Sequence, residues 1–247
     1  MELKEFFEEH PKIALGFSGG VDSSYLLYAA KKYGADLKAY FIKMQFQPQF
    51  ELDDAFEVAA QIGADFEVIE HDALLSDDVA DNDENRCYYC KQNVFGLILE
   101  HALKDGYTTV IDGTNASDPE ADRPGMKALK EMQVLSPLRL CNLTKDDVRR
   151  LSREAGLMTW DKPSYSCLAT RVKTGEKLTD EKLQKIESGE RALMKLGFRD
   201  FRLRTADGEA KLQVKAEQMQ LAIDLRDEIR MIIGDLFRGV SLDMEGR

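Results

Sequence analysis

The first half of the chain alternates between short apolar runs and longer stretches whose apolar residues recur at helical spacing. The runs "KIALGF" (12–17), "DLKAYFIKM" (36–44), "DFEVIEHD" (65–72) and "YTTVIDG" (107–113) have the length of strands. Between them lie "SSYLLYAAKKYG" (23–34), "ELDDAFEVAAQIG" (51–63) and "KQNVFGLILEHALKDG" (91–106), each closing on a glycine as helices do. Strand and helix alternating at this spacing predict an α/β fold, a parallel twisted sheet with helices on both faces.

After residue 113 the rhythm breaks. Residues 114–142 hold Gly125, Pro119, Pro124 and Pro137 and read as loop, with a short helix around 125–132. "TKDDVRRLSREAGL" (144–157) predicts a helix capped by Thr144, with acidic residues in its first turn. Residues 158–177 are irregular and polar. The amphipathic stretch 179–197 predicts another helix. Two short alternating runs around Asp207-Gly208 predict a hairpin, a helical region covers 216–237, and 240–244 reads as a last strand. The expected organisation is an α/β domain over 1–173 and a smaller α+β domain over 174–247.

Composition narrows the partners. The 247 residues carry a formal net charge of −11, which argues against a broad basic surface tracking a nucleic-acid backbone and for a small-molecule substrate. No apolar run approaches the ~18–20 residues of a membrane span. The charged start "MELKEFFEEHPK" has no signal-peptide pattern, so the cytoplasm is the expected compartment. Four cysteines in such a chain are read as ligands, nucleophiles or packing groups before a disulfide framework. The acidic run 76–85 reads as a solvated loop.

The densest candidate chemistry lies in "SGGVDSS" (18–24), between the first strand and the first long helix. Glycines let a ligand approach the backbone, and the helix start offers unpaired N–H groups to phosphate. Asp22 beside phosphates makes sense if it holds Mg²⁺ or caps backbone N–H groups. The string is neither a Walker A loop nor a dinucleotide fingerprint. It resembles the signature of the PP-loop ATP pyrophosphatases, whose sheet is adenine nucleotide α-hydrolase-like. The resemblance implies cleavage of ATP between its α and β phosphates and adenylation of a substrate oxygen. It also implies that Gly16, Ser18, Gly19, Gly20, Asp22 and Ser23 cradle pyrophosphate and its Mg²⁺. The end of the second strand, at Lys43-Met44, would lie near adenine. "DGTNASD" (112–118), with Gly113 and Thr114, would be a second nucleotide-facing loop.

Cys87 and Cys90 form a C-x₂-C pair, placed by the pattern just before a helix whose N-terminus favours thiolates. Cys167 sits in the polar stretch "KPSYSCLATRV", whereas Cys141 has apolar neighbours and reads as packing. A four-cysteine zinc site lacks its usual second pair. Three thiolates suit a 4Fe-4S cluster with one iron left open. "RCYYCK" followed by "PSYSCLATR", together with "DRPGMKALKE" (122–131) and "KIESGERALMKLGFRDFRLR" (185–204), resembles the LarE family of ATP-dependent sulfur transferases. That resemblance covers nearly the whole chain.

It implies a pyridinium-3,5-dicarboxylate mononucleotide substrate. One carboxylate is adenylated and sulfur then displaces AMP, a step in making the nickel-pincer nucleotide. It also implies a sulfide source and a homo-oligomer, a hexamer by family likeness. The family has a version in which the cysteine matching Cys167 gives up its own sulfur, and a version in which three cysteines hold a cluster. The C-x₂-C pair points to the second, with Cys87, Cys90 and Cys167 as ligands. Arg202 and Arg204 alternate onto one face of a predicted strand, as a phosphate clamp would. Glu190 matches an acidic family position and is a catalytic candidate with the three cysteines; Arg171 is a further candidate for the substrate phosphate, and Arg123 is another candidate. Competing readings are a PP-loop tRNA thiolase, an amide-forming PP-loop enzyme, and a nucleotide-binding module without turnover.

Overall fold

Each of the four apolar runs of the first half becomes a strand of one parallel sheet. The computed structural model describes residues 1–119 and 124–247. Its early elements are α1 (Leu3–Glu9), β1 (Lys12–Gly16), α2 (Val21–Tyr33), β2 (Asp36–Lys43), α3 (Gln49–Ile62) and β3 (Phe66–Glu70). The short α4 (Asp77–Ala80) precedes α5 (Arg86–Lys104), β4 (Thr109–Ile111), α6 (Pro124–Glu131), α7 (Pro137–Leu140) and α8 (Lys145–Glu154). Then follow α9 (Asp180–Lys195), β5 (Arg202–Ala206), β6 (Glu209–Gln213), α10 (Met219–Asp224), α11 (Arg226–Gly234) and β7 (Val240–Leu242). No helix among the described residues is long and apolar enough to cross a membrane.

The chain divides into two compact units, residues 1–73 with 85–162 and residues 74–84 with 163–247. The sequence pattern drew its line after residue 173. The structure groups 163–173 with the C-terminal part, along with the 74–84 segment from far upstream.

In the first unit the strand order is β3-β2-β1-β4, all parallel, with Leu15 opposite both Ala39 and Ile111. β1 is central, and Ile13, Ala14 and Leu15 are all buried, as befits a strand covered on both faces. α2 and α3 make the crossovers that carry the chain outward from β1 to β3. α5 carries it back past β1 to β4. Right-handed crossovers therefore put α5 on the opposite face. There Phe95 and Ile98 press on Gly16, while α1, α2, α3 and α8 supply the core of the other face. The direction of winding reverses between β1 and β4, and the crevice at their C-terminal ends is where an open α/β sheet takes ligands.

The second unit holds a three-stranded sheet in the order β5-β6-β7. β5 and β6 are the predicted hairpin. Its turn residues Asp207 (φ 51°) and Gly208 (φ 80°) both have positive φ, the requirement of a type I′ turn. β7 joins β6 in parallel. Leu193 of α9, Phe198, Leu203, Leu212 and Ile233 lie at the centre of its core. The acidic run 76–85 is not a solvated loop throughout. It contains α4, and Asn82 within it is fully buried, donating through Nδ2 to the carbonyls of Lys173 (2.9 Å) and Glu176 (3.1 Å).

α8 starts where its cap dictates. The Thr144 hydroxyl accepts from the Asp147 N–H (3.2 Å), and the Asp147 carboxylate accepts from the Thr144 N–H (3.1 Å), a reciprocal capping box. Thr144→Ala should therefore cost about 1 kcal/mol of stability, measured by urea or thermal unfolding.

Candidate active site

The turn after β1 is built for a close approach. Gly19 has φ 66°, and a Cβ there would fall 2.8 Å from the Ala55 Cβ and 2.9 Å from its Cα. Gly20 is the N-cap of α2, so the first-turn N–H groups of the helix face the crevice without intrahelical acceptors. The Ser23 hydroxyl accepts from the Ser18 N–H (3.2 Å), lies 3.2 Å from the Ser18 hydroxyl and reaches the Gly20 carbonyl (3.3 Å). These bonds hold Ser18, Gly20 and Ser23 in one small ring.

The loop 112–118 closes over the same helix start. A Cβ on Gly113 would lie 3.2 Å from both the Asp22 Cβ and the Ser23 nitrogen. Asp112 is buried and accepts from the Thr114 hydroxyl (2.5 Å), the Thr114 N–H (3.2 Å) and the Ser136 hydroxyl (2.6 Å). Asn115 donates to Asp22 Oδ1 (3.3 Å). Lys145, the first residue of α8, donates to Asp22 Oδ2 (2.5 Å). Burial pushes the Asp22 carboxyl above its ordinary value, against the opposing pull of Lys145. Lys162 reaches the turn from the other side, bonding the Gly19 carbonyl (3.3 Å) and Asp54 Oδ2 (2.7 Å). Met44 is buried just beyond β2, with its N–H on Gln47 Oε1 (3.1 Å). The C-terminal ends of β1, β2 and β4 thus carry Ser18–Ser23, Met44 and Gly113–Thr114 at one edge of the sheet.

Cys87 and Cys90 lie inside α5, not before it. No proline or glycine interrupts Arg86–Phe95, so the helix runs back to Arg86. At a separation of three residues the two thiols share a face near the helix start. Cys87 is exposed and Cys90 half-buried, and no disulfide joins any of the four cysteines. Cys141 packs against the first unit's core, and burial pushes its thiol up. A groove of about 940 Å³ runs beside α5, lined by Tyr88, Tyr89, Lys127, Lys130, Ser136 and Arg139 among others. Among the described residues, no three His, Cys, Asp or Glu side chains gather as a metal site.

In the second unit, Cys167 caps a 3₁₀ turn, Leu168–Arg171, that a buried ion pair holds in place. Arg171 and Glu190 are both essentially without solvent exposure. Arg171 Nε donates to Glu190 Oε1 (2.8 Å) and Nη2 to Oε2 (3.1 Å). Its Nη1 donates to the carbonyls of Ser166 (2.7 Å) and Cys167 (3.3 Å). Glu190 also accepts from the Leu203 N–H (2.9 Å) and the Tyr165 hydroxyl. Burial alone would weaken the Arg171 charge, but the Glu190 carboxylate holds its pKa above the ordinary value. The Tyr165 ring lies under both Arg171 (4.4 Å to the ring centre) and Arg202 (5.3 Å).

Arg171 was expected to meet a substrate phosphate. Its three nitrogens are instead spent on Glu190 and on the Cys167 turn. Arg202 is likewise buried and donates to the carbonyls of Phe201 (2.6 Å) and Ser164 (2.7 Å). Arg204 is different: it is exposed, donates to Gln213 Oε1 (2.9 Å) and the Thr170 carbonyl, and lines a groove of about 410 Å³ with Lys173, Lys211 and Ser241. Desolvation and then repulsion from Arg171 lower the pKa of both Arg202 and Arg204. Arg123 lies outside the described residues. Sequence reading missed Lys145, Lys162 and Tyr165. Only the cap at Thr144 hinted at the first, by fixing which residue opens α8.

The comparisons agree with this geometry. The family model described as asparagine synthase matches residues 8–116, the stretch that builds the sheet, the glycine turn and most of the 112–118 loop. An uncharacterized protein of Synechocystis is 34% identical over 249 residues, covering 99% of this chain and 92% of that one. The pyridinium-3,5-bisthiocarboxylic acid mononucleotide synthase of Lactiplantibacillus plantarum is 29% identical over 238 residues, 95% of this chain and 86% of the synthase. The tRNA-specific 2-thiouridylase MnmA of Thermotoga maritima is 23% identical over 188 residues, 59% of this chain and 52% of that enzyme. The sheet order, the glycine turn and the paired loop define a PP-loop ATP pyrophosphatase fold. Within it, the chain belongs to the LarE family of ATP-using sulfurtransferases.

Two substitutions test the framework of the site. Gly19→Ala forces a side chain onto α3 at positive φ and should cost about 2 kcal/mol or more, read by thermal unfolding, with weakened ATP binding. Glu190→Ala strands the buried Arg171 charge and should cost about 3–5 kcal/mol, read by denaturant unfolding.

Proposed function

We propose that this chain adenylates a carboxylate of pyridinium-3,5-dicarboxylate mononucleotide and converts it to a thiocarboxylate, on the way to the nickel-pincer nucleotide. The observation that carries the reading is one arrangement. The glycine turn lies at the C-terminal edge of the sheet, and α5 begins at that same edge with Cys87 and Cys90 in its first two turns. The activity for which the Lactiplantibacillus relative is named supports the substrate class.

The glycine turn and the start of α2 hold the β and γ phosphates through backbone N–H groups and the Ser18 and Ser23 hydroxyls. Asp22 faces the same phosphates. Its oxygens keep lone pairs beyond those used by Lys145 and Asn115, so it would be able to hold a Mg²⁺ ion, which would offset phosphate charge. A carboxylate oxygen of the substrate attacks the α phosphorus, the bond to the bridging oxygen breaks, and pyrophosphate leaves with the electron pair. The result is an acyl adenylate whose leaving group is AMP. Tyr88, Tyr89 and the cations of the α5 groove suit an anionic aromatic substrate.

The donor set of three thiols outside any disulfide, two of them one helical turn apart, fits a 4Fe-4S cluster held by Cys87, Cys90 and Cys167. When bound, that cluster would supply an iron-activated sulfide nucleophile, replenished from an external sulfide source, for the acyl carbon of the adenylate, with AMP leaving with the electron pair. Around Cys167, the Arg171–Glu190 pair and Arg202 fix the loop, so these three act as positioning residues. Arg204, open to its groove, is the arginine that takes a phosphate. Family likeness also implies a homo-oligomer in the cytoplasm.

Iron and acid-labile sulfide, measured on protein reconstituted without oxygen, test the cluster. The expectation is about four irons per chain, lost in Cys87→Ala, with pyrophosphate release from ATP and the dicarboxylate retained in that variant. No iron, with Cys167 losing the mass of H₂S after one turnover, would replace this reading with sacrificial transfer.

A further inference from the structure

Two lysines that no motif pointed to flank the glycine turn from distant parts of the chain. Lys145 opens α8 and places Nζ on Asp22; Lys162 follows α8 and places Nζ on the Gly19 carbonyl and Asp54. Both ammonium groups are mostly buried, with side-chain exposures of 28% and 15%. Holding a flexible, strongly hydrated ammonium there has an entropic and desolvation cost that an exposed lysine avoids. Neither is a core ion pair closed on all sides. A lysine has three N–H donors. Lys145 uses one of them here, and Lys162 uses two.

Each carboxylate acts as a holder. Asp22 fixes the Lys145 ammonium at the first turn of α2, and Asp54 fixes Lys162 where α3 presses on Gly19. Both charges therefore sit beside backbone N–H groups that already favour an anion. Fixed cations at such a place act on negative charge that builds up between them, and the largest build-up in this reaction is on departing pyrophosphate.

We propose that Lys145 and Lys162 form a two-sided clamp for the β and γ phosphates of the nucleotide and for the pyrophosphate released from it. The proposal rests on the ATP reading of the glycine turn and specifies which side chains contact the leaving group there. The clamp is blind to AMP, which lacks both phosphates. It therefore binds ATP and pyrophosphate tightly while leaving the adenylate side of the reaction unaffected.

Calorimetric titration of the full chain with Mg²⁺ and ATP, inorganic pyrophosphate or AMP tests this. Lys145→Gln and Lys162→Gln should each weaken ATP and pyrophosphate about tenfold or more and leave AMP within about twofold, with unfolding midpoints showing that both variants fold. Lys145→Gln keeps a hydrogen-bond donor for Asp22. Lys145→Arg, which keeps the charge, should recover part of the loss. Folded variants that bind pyrophosphate as the parent does would overturn the clamp while the ATP reading stands. An equal loss for AMP would also overturn it, because the lysines would then only shape the turn. A parent chain that binds neither ATP nor AMP would remove the nucleotide reading itself.

Discussion

At the β1–β4 edge, one stretch of backbone meets a neighbour more closely than any side chain would permit, and a second leaves room for a side chain only if the neighbour shifts. Gly19 lies against the main chain of α3, and Gly113 lies against the first turn of α2. These contacts set the start of α2 between the ends of two adjacent strands, where the sheet reverses its winding. Ser18, Ser23, Asp22 and Asn115 can form their short network only because that spacing is already fixed. A wider gap would let water satisfy the same N–H groups, and the turn would lose its preference for an anion.

In the second unit the organising element is electrostatic. One carboxylate, Glu190, accepts four hydrogen bonds, and through them it orders a 3₁₀ turn, a strand and a tyrosine. Arg171 and Arg202 spend their donors on backbone carbonyls of residues 164, 166, 167 and 201. The stretch before Cys167, residues 163–166, is mostly exposed and has little buried apolar surface with which to hold its shape. Guanidinium groups bonding to carbonyls add to the packing of the buried Leu168 and Ala169, and the cysteine at position 167 inherits a defined backbone.

Much of the first unit was legible in the chain itself. Strands such as 12–16 and 36–43 announce themselves because burial on both faces demands continuous apolar runs. The glycine turn was legible because its conformation demands particular residues. Less visible were features set by contacts across the chain. Cys87 and Cys90 fall within α5 because nothing in 86–95 breaks a helix, although the apolar periodicity starts later. Arg202 and Arg204 do share a strand face, yet the alternation rule cannot tell that Ser164 covers one and leaves the other open. Lys145 and Lys162 look like surface lysines until α8 brings both to the turn. Asn82 lies in an acidic stretch, and its burial depends on carbonyls some ninety residues onward, at 173 and 176.

That last separation has a consequence for how the molecule is made. A ribosome releases residues 74–84 long before 163–247, so the earlier segment waits without its partners while the rest of the first unit emerges. Closing so long a loop is entropically slow and adds non-local contacts to the second unit's folding. The first unit faces a milder version of the same delay, since its crossover from β3 to β4 contains the waiting segment. The four-stranded sheet is therefore expected to mature first in synthesis. The turn that carries Cys167 gains its fixed shape only once the last third of the chain is free.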